Sequence, residues 1–184
     1  MSTRVAVVDD HDRFVRWEDR RVVHREQLLH RSIHVLVFTT SAATNAAAPR
    51  LVLQKRHEDK LTFAGHWDLS CSGHVDEEDY TRGPDDDLDR VYATCARREL
   101  EEELGVTPEL TFVGHFGAVP GVHYEQIHLY RAVSDGPFAP QADEIEELRS
   151  VTHAELEALL TRAREPHTPT LAIFARLAHE RGWW

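Results

Sequence analysis

Nine residues, Arg98-Glu99-Leu100-Glu101-Glu102-Glu103-Leu104-Gly105-Val106, constrain this chain more than any other stretch. Wound as an α-helix, they bring Glu99, Glu102 and Glu103 within roughly 100° of one another on one face. Gly105 then supplies a left-handed C-terminal stop. Local physics opposes the arrangement. A helix C-terminus carries partial negative charge, and like charges three and four residues apart repel by a few tenths of a kcal/mol per pair. The same face traced backwards reads Cys95, Val91 and Leu88, so an apolar, core-facing stripe runs into the acids. Carboxylates part-buried at the negative end of a helix need a cation, and a divalent metal supplies it.

The rest of the chain frames that helix. Val5–Val8 and Phe14–Trp17 read as short strands around the polar turn Asp9-Asp10-His11-Asp12. A His- and Arg-rich segment, Arg20 to Arg31, precedes the apolar run Ile33–Phe38, a central strand. Ser41–Pro49 reads as a hairpin loop before the strand at Leu51-Val52-Leu53, which ends in the local basic cluster of Arg56 and Lys60. Trp67–Ser72 reads as a strand, followed by Gly73-His74-Val75. The acidic stretch Glu77–Asp89 reads as an exposed loop whose Asp85-Asp86-Asp87 cluster caps a helix over 88–104, the end that favours negative charge. Strands follow at Leu110–Phe116, Gln126–Ala132 and Glu147–Val151. Thr152-His153-Ala154-Glu155 has capping-box spacing and opens a helix to about Arg162, and Thr168-Pro169 opens a last one ending near Gly182. Mixed strands with about three helices predict an α/β fold, a sheet between helices, in one domain spanning 1–184.

A net charge of −11 argues against a nucleic-acid polymer or an anionic membrane as the main partner. No run approaches the roughly 18 apolar residues of a membrane span, and the N-terminal apolar run is too short for a signal peptide. Two cysteines, Cys71 and Cys95, give no disulfide framework and predict a reducing, cytoplasmic setting. A homodimer is left open. His24, His30 and His34 have no metal-ligand spacing signature, so each by itself reads as a surface or core-edge histidine.

The lettering Arg-Glu-Leu-x-Glu-Glu-x-Gly-Val resembles the second half of the Nudix box, G-x5-E-x7-R-E-U-x-E-E-x-G-U with U apolar. Leu51–His74 and Leu29–His34 are similar to the branch of that superfamily that holds isopentenyl-diphosphate isomerases and related hydrolases. The resemblance implies a Nudix-type α/β/α sandwich. It implies Mg²⁺ or Mn²⁺ held by Glu99, Glu102 and Glu103, with the Gly73 carbonyl and Glu125 as further ligands, and one carboxylate as base. It implies Arg98 as the residue that orients the acids, and Arg56, Lys60 and His74 as contacts to a small-molecule diphosphate substrate.

Two departures stand out. Arg98 follows Gly73 by 25 positions rather than 14, so residues 81–90 read as an insertion within the box. The acid expected eight before Arg98 is Arg90, which leaves Glu78 or Asp89 to take its place. The isomerases also use a Cys two residues before the motif His, where this chain has Ser72; Cys71, one residue earlier, points to the opposite face of a strand. A hydroxyl has no pKa suited to protonating an alkene. The sequence therefore predicts a metal-dependent hydrolase of a diphosphate linkage. An isopentenyl-diphosphate isomerase is the alternative, since His24, His30, His74 and Glu125 resemble the isomerase metal set. A non-catalytic diphosphate-metabolite binder is the third reading.

Overall fold

A computed structural model describes residues 3–40, 48–162 and 165–184. Most of the hairpin loop expected at Ser41–Pro49 lies outside these residues. The chain forms two compact units, each assembled from separate stretches: 1–34, 72–99 and 110–130 in the first, and 35–71, 100–109 and 131–184 in the second.

In the first unit, β1 (Arg4–Val8) and β2 (Phe14–Asp19) form an antiparallel hairpin with a register shift at Val7/Val8. The polar turn between them closes on Asp9, whose Oδ1 accepts from the backbone N–H groups of His11 and Arg13. Next comes a helix that the sequence reading missed, α1 (Arg20–Glu26). Asp19 caps it by accepting from the Arg21 N–H at 2.8 Å, and Gln27 ends it in a left-handed conformation. Only Val23 is buried within it, against Val5, Val7 and Leu28. Seven residues with one core contact show no amphipathic period, so the caps define this helix.

β3 (His30–Thr39) is buried throughout its length and runs from the first unit into the second, as a central strand must. Beneath its start lies a polar core. The Arg31 guanidinium, 1% exposed, donates to Asp12 and to the Tyr80 hydroxyl, and the Tyr92 hydroxyl donates to Asp12 Oδ2 at 3.1 Å. A buried charge persists only with such partners.

The long helix α2 (Leu88–Leu104) has the bounds the sequence predicts. Asp87 caps it, accepting from the Asp89 and Arg90 N–H groups. Gly105 closes it at φ 67° with its N–H on the Glu101 carbonyl. The preceding stretch is less exposed than expected. Glu77–Asp79 forms a 3₁₀ turn with Asp79 buried, and Asp86 is buried under N–H groups of Thr81 and Arg82 and an ion pair to Arg90. β7 (Thr111–Phe116) pairs with β8 (Glu125–Val133).

In the second unit, β4 (Arg50–Arg56) pairs antiparallel with β5 (Trp67–Asp68) and with β9 (Ile145–Val151). The strand expected over Trp67–Ser72 is broken: β5 ends at Asp68 and β6 (Cys71–His74) resumes beyond Ser70, whose hydroxyl donates to the Val52 carbonyl. The capping box of Thr152 and Glu155 opens α3 (His153–Leu160). Thr168 caps α4 (Pro169–Glu180), with Pro169 in the first turn. The class is α/β, nine strands with four α-helices among the described residues. No helix among these residues is long and apolar enough to cross a membrane.

Candidate functional site

Two groups of side chains meet in the first unit. The first is built on the box arginine. Arg98 donates from Nε and Nη2 to the two carboxylate oxygens of Asp79, both at 2.9 Å, a fork-to-carboxylate pair in which Asp79 is almost wholly enclosed. Its Nη1 donates to Glu99 Oε1 at 2.8 Å and its Nη2 to the His74 carbonyl at 3.2 Å. One guanidinium thus ties the acid at Glu99 to the strand end at His74.

Asp79 occupies the place in the box for which Glu78 and Asp89 were the expected candidates. Both of those are exposed. The signal was in the sequence: six positions beyond Gly73, where the pattern puts its first acid, stands Asp79. The extra residues therefore fall after this acid, and counting back from Arg98 misses it.

Glu99 lies flat against Gly73. A Cβ on residue 73 would sit 2.1 Å from Glu99 Cδ, 2.3 Å from Oε1 and 2.4 Å from Cγ. Only glycine lets the strand backbone and this carboxylate come so close. A carboxylate is a hard oxygen donor, the kind that Mg²⁺ or Mn²⁺ takes.

The second group is imidazole. The ligand nitrogens of His24, His30 and His74 all lie within 4.8 Å of one another. The His30 and His74 rings stack at 5.0 Å, and His24 stands edge-on to both. Glu125 joins them, with Oε1 at 3.7 Å from His30 Nε2 and 3.9 Å from His74 Nε2, and Oε2 at 3.7 Å from His34 Nε2. The His30 ring is oriented by a 2.8 Å hydrogen bond between Nδ1 and the Leu28 carbonyl, and its buried Nε2 has no hydrogen-bond partner. Burial alone would raise the Glu125 carboxyl, but the hydrogen bond from His34 and the neighbouring charges of His30, His34 and His123 outweigh it and hold the group at about 2. Three imidazoles and a carboxylate suit a borderline transition ion such as Zn²⁺ better than Mg²⁺. The missed helix α1 is what delivers His24 to this group. Its spacing from His30 and His74 is set by tertiary folding, which is why no ligand signature shows in the sequence.

Ser72 is half-buried on β6, and Cys71 beside it is fully enclosed, as strand alternation requires. Cys95 is buried as well, and its thiol donates to the His74 carbonyl. Burial pushes that thiol well above its ordinary value. Neither thiol of the chain reaches a surface.

The remaining candidates belong to the second unit. Glu103 is buried and accepts from Gln54 Nε2 at 3.1 Å, while Glu102, one residue earlier on α2, is exposed. Arg56 pairs with Asp68 at 3.2 Å and donates to the Thr62 carbonyl; Lys60 pairs with Glu144.

The family profile described as "NUDIX domain" matches residues 28–174. An isopentenyl-diphosphate Delta-isomerase of Aromatoleum aromaticum is 32% identical over 91% of this chain and 86% of its own length. An uncharacterised Nudix hydrolase of Pseudomonas aeruginosa is 31% identical over 90% of this chain and 86% of its own. Among solved structures, a Deinococcus radiodurans protein superposes with a TM-score of 0.73 at 19% identity, covering 95% of this chain and 98% of that one.

Proposed function

The chain belongs to the Nudix family, with the α/β sandwich fold of that family, and on that premise we propose that it is a metal-dependent hydrolase. Its substrate is a nucleoside diphosphate derivative or a related small organic diphosphate, cleaved at the diphosphate linkage. The observation that supports this best is the Glu99 carboxylate seated against the Gly73 backbone and braced by Arg98 on Asp79. That bracing holds the Glu99 carboxylate in one place against the strand, without leaving the arginine itself unpaired.

When bound, a divalent cation neutralises charge on the bridging phosphate oxygens and lowers the pKa of water. The protein does the rest. Glu99 and the Gly73 carbonyl, both of the first unit, would hold the ion. One of the box carboxylates would receive the proton of the attacking water. Arg56 and Lys60, each paired with a carboxylate in the second unit, are the cations that the resemblance assigns to phosphate oxygens.

The group of His24, His30, His74 and Glu125 favours a second reading, isopentenyl-diphosphate isomerase, which the Aromatoleum relative also favours. The chemistry at position 72 opposes it, since alkene protonation needs a titratable acid and both thiols are enclosed.

The test is phosphate-coupled turnover with Mg²⁺ or Mn²⁺ across nucleoside diphosphate sugars, dinucleotides, nucleoside di- and triphosphates and isopentenyl diphosphate, with Glu99→Gln alongside. Hydrolysis lost in that variant is the expected result. Double-bond migration in isopentenyl diphosphate without phosphate release would establish the isomerase. Metal-independent binding without turnover would leave a diphosphate-binding protein.

A further inference from the structure

The second unit holds a groove between the start of β4, the end of β9 and α3. Its volume, about 550 Å³, is that of a small-ligand pocket. None of the residues assigned above to a metal or a diphosphate lines it. Arg50 at its edge and Arg56 stand at opposite ends of β4, so at about 3.3 Å per residue they lie roughly 20 Å apart along the strand. Part of the wall is apolar: Val151 and Leu159 are buried, and Ala154 and Ala158 add only methyl groups.

The charge of the groove runs against that of the chain. In a protein of net charge −11, three arginines line it, Arg50, Arg149 and Arg162, against a single acid, Glu155. That acid is already engaged. Glu155 Oε2 accepts from the N–H and the hydroxyl of Thr152, as the cap of α3, and from Arg50 Nη2 at 2.6 Å. Arg50 Nη2 also donates to the Ser150 carbonyl, which leaves Nε and Nη1 without a partner among the described residues. Arg162 uses Nη1 on Glu165 and keeps Nε and Nη2 open on the same terms. Arg149 is fixed from behind, its plane over the Trp67 ring at 4.1 Å and its nitrogens on Glu147 and Glu165. Guanidinium groups held in this way lose little freedom on taking an anion, and their forks match phosphate oxygens.

We propose that this groove is a second binding site, for a small organic phosphate. Its phosphate oxygens take the open N–H groups of Arg50 and Arg162 beside the fixed charge of Arg149. Its carbon body lies against Val151, Leu159 and the two alanines. Inorganic phosphate would leave that apolar wall uncovered, and a monocarboxylate would leave part of the positive charge unmatched. The site stands whether or not the chain is a hydrolase.

The test is a titration of isotope-labelled full-length protein with phenyl phosphate, in EDTA to keep metal sites empty, followed by backbone amide shifts. Saturable shifts at Ser150, Ala154 and Ala158 are expected, in the wild type and equally in Arg56→Gln. Inorganic phosphate and benzoate, run as separate probes, should bind more weakly than phenyl phosphate. Arg50→Gln and Arg162→Gln should each weaken phenyl phosphate about tenfold or more, the worth of a hydrogen bond to a charged group. Ala158→Phe fills the groove while keeping every arginine, and should abolish binding. Arg176→Gln, an exposed arginine of α4 outside the groove, should change nothing. Thermal melts confirm that each variant is folded. Shifts that do not saturate, shifts lost in Arg56→Gln but kept in the groove variants, or equal weakening in Arg176→Gln overturn the proposal. Benzoate binding as tightly as phenyl phosphate would overturn the phosphate assignment.

Discussion

Replacing Gly73 by alanine tests the candidate site with one methyl group. The added carbon would lie 2.1 to 2.4 Å from three atoms of Glu99, against about 3.5–4.0 Å for a comfortable carbon contact. The Glu99 carboxyl must therefore retreat by more than about 1 Å, and a displacement of that size at a reacting centre costs on the order of 10²-fold in rate. Gly73 does not use a left-handed backbone, so alanine fits the strand conformation, and the fold should survive with a melting temperature near that of wild type. The assay is kcat/KM as a function of Mg²⁺ concentration, beside a thermal melt. A roughly 100-fold fall with a raised Mg²⁺ requirement is expected. Glu99→Asp, one methylene shorter, should restore part of the rate in the alanine background while lowering it in the wild type. A Gly73→Ala enzyme with wild-type rate and wild-type metal dependence would refute the placement of the chemistry at this contact.

Asp79→Ala should lose about 2–4 kcal/mol of stability in urea unfolding, because Arg98 is left without its forked partner, while Glu78→Ala and Asp89→Ala stay within about 0.5 kcal/mol. His128 is buried against Tyr92, with ring centroids at 3.6 Å, and burial holds it at about 4, below its ordinary 6.5. The unfolded chain therefore takes up a proton first as pH falls, and stability present above pH 6.5 should drop by about 2 kcal/mol at pH 5, a slope that His128→Phe removes in paired unfolding curves. His30→Ala should weaken Zn²⁺ binding at least tenfold by equilibrium dialysis, with the Mg²⁺-dependent rate little changed; loss of both together would merge the two donor groups into one centre. Thr152→Ala should cost about 1 kcal/mol through the cap of α3.

The parts legible in the sequence are those whose cause is local. Helix α2 announces itself by an apolar stripe, an Asp cap and a stop glycine, all within about twenty residues, and its bounds follow. The capping box at Thr152 and the Pro169 start are of the same kind. What escaped was decided at a distance. Helix α1 has one buried residue and depends on its caps, so its seven residues carry no period to detect. Asp79 and Asp86 sit in a stretch that reads as solvated acid, but their burial depends on Arg98, Arg90 and loop N–H groups that composition does not display. The grouping of Glu125 with His24, His30 and His74 was legible only through the resemblance to the isomerases, because imidazoles from α1, β3 and β6 meet it by tertiary folding. Arg56 pairs with Asp68 across one short loop, whereas the carboxylate that pairs with Lys60, Glu144, comes from far along the chain.

The interleaving of the two units has a consequence for biosynthesis. The first unit closes only when residues 110–130 arrive, and the second draws on the chain up to 184. On the ribosome, β1 and β2 can pair with each other at once, but β3 must wait for nearly a hundred further residues before its β8 partner exists. Contacts of such separation slow folding and lengthen the time during which an apolar strand such as β3 stands uncovered. No single cut releases either unit whole, so a truncated chain should meet chaperones and proteases rather than yield a working half.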